Sequence, residues 1–184
     1  MRPPLRSYLR DETQAAHEQL DHLVGDLDSV EDYRGYVMGL YAHRVAVEAW
    51  LDAALWPDIY GSWRPKGLAG LLEADLADLG DAPPAAAPFD MSKDIATLSG
   101  VSYVVAGSAL GARLIFRKAL ALGFDSSRGA RHLASQQDQL QDWRRLLALM
   151  ECIDSEEFDR PRAAEAANAV FNQALLAMSA NRVD

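Results

Sequence analysis

Apolar residues recur every three or four positions along most of the chain, which is the spacing of one face of an α-helix. The first stretch of this kind predicts a helix from about Leu5 to Val24, with an apolar face made of Leu5, Leu9, Ala16, Leu20 and Leu23. Gly25 follows and predicts the end of this helix, because glycine readily adopts the left-handed conformation that terminates helices.

The next apolar stretch predicts a long second helix. Ser29 followed by Asp32 has the pattern of an N-cap with an acidic first turn. The helix can continue to Trp56, because Pro57 disfavours helical geometry in the residue before it. A third helix is predicted over about residues 67–79, where leucines again repeat at helical spacing and a glycine follows.

An Ala- and Pro-rich segment, residues 81–90, predicts a loop within one domain, because neither of its flanks has the pattern of an independent core. Beyond it the sequence predicts helix over 92–122, a short helix or irregular crossover within 126–134, helix over 136–150, and a last helix with Pro161 in its first turn that reaches Met178. We therefore expect an all-α fold, a single domain over residues 1–184 that forms a compact bundle of about seven or eight helices.

Composition supports this expectation and limits the function. Ala and Leu supply 31 and 25 of the 184 residues, whereas Val, Ile and Thr together supply only 16, which favours helices over sheets. The formal charge of −9 disfavours nucleic-acid binding as the main function. Uninterrupted apolar runs are short, the N-terminus has no signal-peptide pattern, and Cys152 is the single cysteine. We expect a soluble, cytoplasmic protein that does not bind membranes.

The most unusual segment is G-V-S-Y-V-V-A-G-S-A-L-G-A-R-L-I-F, residues 100–116. Gly107 and Gly111 are four positions apart in an otherwise apolar helix, where each glycine costs about 1 kcal/mol relative to alanine. Small residues surround them, so another group can approach the helix backbone closely. Two interpretations remain open: tight packing against a second helix, or a flat ligand that lies on the backbone.

A second candidate lies on the first helix, where Asp21 follows His17 by four residues and therefore by about one turn. A carboxylate in this position can orient an imidazole and raise its basicity, as it does for metal-ligating histidines. The alternative is an ordinary histidine with an acidic neighbour by chance. The sequence contains no His-x-x-x-His or Glu-x-x-His pair, no Gly-x-Ser-x-Gly elbow and no dinucleotide-binding fingerprint.

Together, the two segments resemble the heme oxygenase family, particularly its compact bacterial members. T-Q-A-A-H-E-Q-L-D, residues 13–21, is similar to the family's proximal segment, and Y-V-V-A-G-S-A-L-G, residues 103–111, is similar to its distal helix. Residues 64–80 and the last helix also resemble the family. The resemblance implies that His17 ligates heme iron with support from Asp21, and that the backbone at Gly107 and Gly111 lies over the heme face.

The resemblance also implies further site residues. Arg10, Tyr103 and Arg144 are candidates for contacts with the heme propionates, with Arg113 and Arg117 as less favoured cations, and Ser108 is a candidate for holding distal water. The chain departs from the family at two positions, since Ala106 and Ala112 stand where many members have glutamate and glycine. It also has no acidic residue between positions 100 and 122, so the sequence leaves open how distal water is held.

The activity implied is oxygen- and reductant-dependent cleavage of heme to biliverdin, carbon monoxide and ferrous iron, with heme as both substrate and prosthetic group. The sequence has no flavin or nicotinamide motif, so we expect a separate reductase or ferredoxin as electron donor, and a bilin-binding photoreceptor is a candidate recipient of the product. Two alternatives remain: a non-catalytic heme carrier or sensor with the same fold, and a helical interaction module that binds no heme.

Overall fold

The computed structural model describes residues 2–182; Met1, Val183 and Asp184 of the predicted domain lie outside the described residues. Eight α-helices form this part of the chain: α1 (Leu5–Val24), α2 (Val30–Asp52), α3 (Ala69–Leu79), α4 (Ile95–Gly107), α5 (Ala109–Ala121), α6 (Arg131–Gln137), α7 (Leu140–Ile153) and α8 (Arg160–Ala180). One short 3-10 helix, Asp58–Tyr60, follows α2. Residues 2–182 contain isolated bridges but no β-strand, so the all-α prediction is confirmed.

The first two helices begin where the sequence predicts. α1 has the predicted bounds and ends at Gly25. Ser29 and Asp32 form a capping box at the start of α2, in which each side chain bonds to the other residue's backbone N–H. α2 ends at Asp52 rather than near Trp56, so the predicted end was wrong. The chain turns there, and the Trp56 indole N–H donates to the carbonyl of Leu51 at 3.3 Å.

Two predicted helices are interrupted in the structure. The helix predicted over 92–122 is two helices, because α4 and α5 are separated at Ser108. The helix predicted over 136–150 begins only at Leu140, since α6 ends at Gln137 and a short turn follows. In the segment predicted as a short helix or irregular crossover, residues 126–134, the structure has a turn that precedes α6. α8 begins as predicted, with Pro161 in its first turn, and the Asp159 side chain accepts from the Arg162 N–H.

The last helix lies at the centre of the bundle, with α1, α2 and α4 packed around it. Two glycines allow the closest of these contacts. A Cβ on Gly100 would lie 2.0 Å from the carbonyl oxygen of Ala163, so the backbones of α4 and α8 touch there. A Cβ on Gly39 would lie 2.8 Å from the Cα of Met178. The tightest helix–helix packing therefore depends on Gly39 and Gly100.

The core is divided into clusters, two of which border the candidate site. The first cluster contains Leu5 and Leu9 of α1, Ala106 of α4, and Trp143, Leu146 and Met150 of α7. The second cluster contains Tyr36, Val37, Leu72, Ala112, Ala119 and Leu133, with Leu20 and Leu23 of α1 packed against it. Neither cluster has a member between Leu9 and Leu20 of α1 or between Ala106 and Ala112 of α4–α5, although Thr13 and Ala109 are buried there. His17 lies in the first of these stretches and Gly107–Gly111 in the second.

Within residues 2–182, one segment, Ile95–Ala121, is long and apolar enough on average to cross a membrane. Polar residues interrupt its apolar runs, but its mean hydropathy over a membrane-spanning length is high. Most of its most apolar window is buried inside the bundle. This burial is typical of helices in the core of a bundle. α4, which forms the first half of the segment, packs against α8.

Candidate functional site

His17 lies on the outer part of α1 with its Nδ1 3.0 Å from Oδ2 of Asp21. The histidine side chain is 60% exposed, so it is not a core residue. Its ring packs edge-on against Phe171 of α8, with 5.7 Å between the ring centroids. One ring nitrogen therefore faces a carboxylate, and Nε2 is the nitrogen left for a ligand. Metal-ligating histidines commonly have this arrangement.

The second candidate segment contains the break between α4 and α5. The Ser108 hydroxyl donates to the carbonyl of Val105 at 2.8 Å, a type of side-chain bond that often bends helices. The carbonyl of Ser108 accepts from the N–H of Gly111 at 3.3 Å, which is the i+3 spacing of a 3-10 turn. Gln136 of α6 also donates to the Ser108 hydroxyl oxygen, at 3.0 Å. Side-chain bonds thus hold the break in place.

The two distal glycines have different surroundings. A Cβ on Gly107 would make an ordinary contact with the ring of Trp143 at 3.5 Å, whereas a Cβ on Gly111 would meet no described atom within 4 Å outside its own helix. Leu110 and Leu114, next to Gly111, are 54% and 56% exposed. Helix packing therefore does not explain Gly111. A backbone without side chain flanked by uncovered leucines suits a flat apolar ligand.

Tyr103 connects this segment to α1. Burial raises the pKa of the Tyr103 phenol, and the positive charges of Arg6 and Arg10 oppose that rise, so both arginines lie close to it. The Tyr103 ring packs on Trp143 at 5.5 Å. Arg10 also bonds to Asp11 at 2.8 Å. Two of the residues predicted to contact propionates, Arg10 and Tyr103, are thus neighbours between α1 and α4.

The other predicted cations are less closely associated. Arg144 is exposed on α7 and follows Trp143, which contacts the site, while Arg113 and Arg117 are exposed on α5. Among the described residues none of these three arginines has an ion-pair partner. The structure does not bring them into contact with His17 or Tyr103.

A buried ion pair that the sequence did not reveal lies behind α4. The Arg44 side chain, 3% exposed, bonds to Glu48 at 2.7 Å and reaches the carbonyl of Val105 at 3.5 Å. Glu48 also accepts from the backbone N–H groups of Leu68 and Ala69 and so caps α3. A cavity of about 230 Å³ adjoins this pair, and its lining does not include His17 or Gly111. The pair stabilises the helix behind the candidate site.

Sequence reasoning also missed two buried histidines. His132 bonds through Nδ1 to Asp75 at 2.8 Å, and both side chains are fully buried. Burial lowers the pKa of His132 despite this carboxylate. His43 bonds to Gln173, and burial lowers the pKa of its imidazole to about 4. The partners lie 57 and 130 residues away in sequence, so no local spacing pointed to them.

No group of three or more His, Cys, Asp or Glu side chains in the described part of the chain is arranged to hold a metal ion. A metal at His17 would therefore need most of its ligands from a non-protein group. The four ring nitrogens of a porphyrin meet that need, and the open surface at Gly111 accommodates its flat shape.

Known proteins that are similar to this chain include two bacterial heme oxygenases. The chain is 30% identical over 170 residues to heme oxygenase PigA of Pseudomonas aeruginosa, an alignment that covers 88% of this chain and 84% of that protein. Its fold matches a crystal structure of NO- and CO-bound heme oxygenase from Neisseria meningitidis, with a TM-score of 0.80 and 22% identity over 98% of this chain and 92% of that one. No protein-family model matches the sequence.

Proposed function

The chain belongs to the heme oxygenase family, and we propose that it opens heme to biliverdin, carbon monoxide and ferrous iron, using oxygen and electrons supplied from outside. The observation that carries the site assignment is the uncovered backbone at Gly111, where a Cβ would meet no described atom within 4 Å outside its own helix. Heme is proposed to bind between this segment and the exposed His17 on α1. A plate-shaped apolar substrate held there would cover the exposed surface on both segments.

His17 is the proposed iron ligand, through Nε2. The Asp21 carboxylate beside Nδ1 would orient the ring and increase its basicity, and Phe171 limits its rotation from the other side. Bound heme supplies the iron at which oxygen is activated and the porphyrin that is oxidised. The protein contributes binding, orientation and control of water and protons.

On the distal side, the backbone of Gly107 and Gly111 would lie against the ring. Leu110 and Leu114 would cover apolar porphyrin edge, which fits their exposure in the present structure. Ser108 is proposed to hold distal water. Its hydroxyl hydrogen already bonds to the Val105 carbonyl, so the oxygen is the atom available to that water.

The propionates are proposed to extend toward cations at the rim. Arg10 and Tyr103 are the candidates for one propionate, because the positive charge of Arg10 acts on the Tyr103 phenol, and Arg144 is a candidate for the second. Arginine suits this task because its planar guanidinium binds a carboxylate through two parallel bonds. Opposite charges at the rim of the site and apolar contacts inside it would together fix the orientation of the porphyrin ring.

Partners follow from the chemistry of the reaction. The sequence has no flavin or nicotinamide motif, so a separate reductase or ferredoxin is proposed as the electron donor. Biliverdin is the chromophore precursor that a bilin-binding photoreceptor requires, which makes such a protein a candidate recipient. We propose the cytoplasm as the location, where both partners and heme would be accessible.

The test is anaerobic titration with heme, followed by oxygen and a reductant and by chromatography of the product. We expect a one-to-one complex that yields biliverdin. A complex that keeps its Soret band under these conditions would indicate a carrier or sensor, and no complex at all would refute both heme functions.

The His17→Ala variant tests in the same assay whether His17 is the iron ligand. We expect an altered ferric heme spectrum and loss of turnover, because no other described histidine lies in the site. His22→Ala is the matched control, since His22 is also exposed on α1 but points to no site residue among those described. An unchanged spectrum of His17→Ala would remove His17 as the iron ligand.

A further inference from the structure

Gln136 is a buried polar residue in direct contact with the distal segment. It lies on the inner face of α6, 4% exposed, beside the buried His132 and Leu133. Its Nε2 donates to the Ser108 hydroxyl oxygen at 3.0 Å. The contact spans 28 residues of sequence and joins α6 to the break between α4 and α5.

The Ser108 hydroxyl is thereby held at two points. It donates its hydrogen to the carbonyl of Val105 at 2.8 Å and receives a hydrogen from Gln136. A hydroxyl has one hydrogen and two lone pairs. Its hydrogen and one lone pair are therefore occupied, and one lone pair remains. Ser108 as a whole is exposed.

We propose that Gln136 is a positioning residue that acts through Ser108 and makes the Ser108 hydroxyl a hydrogen-bond acceptor, not a donor, toward the distal face of bound heme. This inference rests on the proposed function. If Gln136 were absent, the hydroxyl could rotate away from Val105 and donate its hydrogen into the site. Gln136 thus sets the direction of the hydrogen bond that distal water makes with Ser108.

The consequence concerns the source of protons. No acidic side chain occurs between positions 100 and 122, and the Ser108 hydrogen is held by Val105. A distal water that donates to Ser108 has its other hydrogen free to point at the heme. Proton delivery on this side therefore passes through water, with Ser108 as the group that orients it.

The test compares the pH midpoint at which the ferric heme complex changes from its acid to its alkaline optical spectrum. The acid form carries a proton on the distal side that the alkaline form lacks. A hydrogen-bond acceptor on that side therefore stabilises the acid form, and a hydrogen-bond donor stabilises the alkaline form. Gln136→Leu should lower the midpoint by about half a pH unit, which is the scale of one neutral hydrogen bond. Gln139→Leu is the matched control and should leave it unchanged, because Gln139 is also buried but its Nε2 has no partner among residues 2–182.

A double mutant separates action through Ser108 from a general structural effect. In a Ser108→Ala background, Gln136→Leu should shift the midpoint no further. An equal shift in both backgrounds, or no shift in either, would overturn the proposal.

In the protein without heme, the Gln136 side-chain amide should show a nuclear magnetic resonance shift on Ser108→Ala, whereas the Gln139 amide should not. The absence of that response would also overturn the proposal. If the unaltered protein makes biliverdin while these effects fail, the proposed function stands and this inference falls. If it binds no heme, both fall.

Discussion

Two histidine–aspartate pairs occur among the described residues, and they differ in almost every physical respect. His17 and Asp21 are one turn apart on α1, and their side chains are 60% and 68% exposed. His132 and Asp75 come from α6 and α3 and are fully buried. Asp75 also accepts from the backbone and the guanidinium of Arg131. The exposed pair leaves the imidazole accessible to a ligand, whereas the buried pair joins two helices.

The comparison shows that such a pair does not by itself indicate a ligand site. Whether a histidine can bind a ligand depends on the groups that its second ring nitrogen can reach. At His17 the side chain is 60% exposed, so a ligand can reach the ring from solvent. At His132 the second nitrogen is enclosed by the core and has no partner among the described residues. Three predictions test this distinction.

The largest expected effect is on stability, at the buried pair. Asp75→Ala should lower the free energy of unfolding by about 3–5 kcal/mol, because it leaves the backbone N–H groups of Arg131 and His132 and the His132 ring without an acceptor, at about 1–3 kcal/mol for each buried group. Urea denaturation of the protein without heme measures this. Asp21→Ala is the control at the exposed pair and should cause no measurable change. Equal losses in the two variants would remove the distinction between the pairs.

The second effect is a pH dependence caused by the buried histidines. Burial lowers the pKa of His43 to about 4 and also lowers that of His132, so both are neutral when the protein is folded at neutral pH. The unfolded chain binds protons below about pH 6.5, so stability should be complete above that value and decrease as the pH falls toward 4. The loss assigned to His43 between pH 7 and pH 4 is on the order of 3 kcal/mol.

Urea midpoints measured between pH 7 and pH 4 test this pH dependence. His43→Gln should flatten the decrease while lowering stability at neutral pH, because the Gln173 partner then has to rearrange. An unchanged slope in this variant would show that another group causes the acid sensitivity.

The smallest effect is expected at the exposed pair, and in heme affinity instead of stability. Asp21→Asn removes the charge beside His17 and should weaken heme binding by about tenfold, as removal of such a supporting carboxylate does at other metal sites. Heme titration measures it, with the urea midpoint as a check that the fold is intact. Unchanged affinity would mean that Asp21 does not support the ligand.

Much of the fold followed from local chemistry. The apolar spacing of α1, the caps at Gly25 and Ser29 and the Pro-rich loop all act within a few residues, so the sequence alone predicts them. The separation of α4 from α5 did not follow, because it depends on a side-chain bond from Ser108 and on Gln136 of a later helix. Helix ends that depend on tertiary contacts are not visible in a local pattern.

The candidate site divides in the same way. His17 and Asp21 share one helix, and Gly107 and Gly111 share another segment, so spacing and resemblance indicated them together. Gln136 and the Asp75–His132 pair were missed because their partners come from distant parts of the chain. Arg44 and Glu48 are one turn apart on α2, but their burial against Val105 and the start of α3 depends on distant segments. Of the two open interpretations of Gly107 and Gly111, only Gly107 has a packing partner, and the tightest helix contact lies at Gly100.

The contact at Gly100 has a mechanical consequence. Because the backbones of α4 and α8 touch there, the first half of the distal segment is fastened to the centre of the bundle and has no room to shift. α5 beyond Ser108 has no such attachment to α8 and packs mainly on α6. α4 is therefore the rigid part of the distal segment, whereas α5 is held to the bundle mainly through α6, which the buried Asp75 in turn joins to α3.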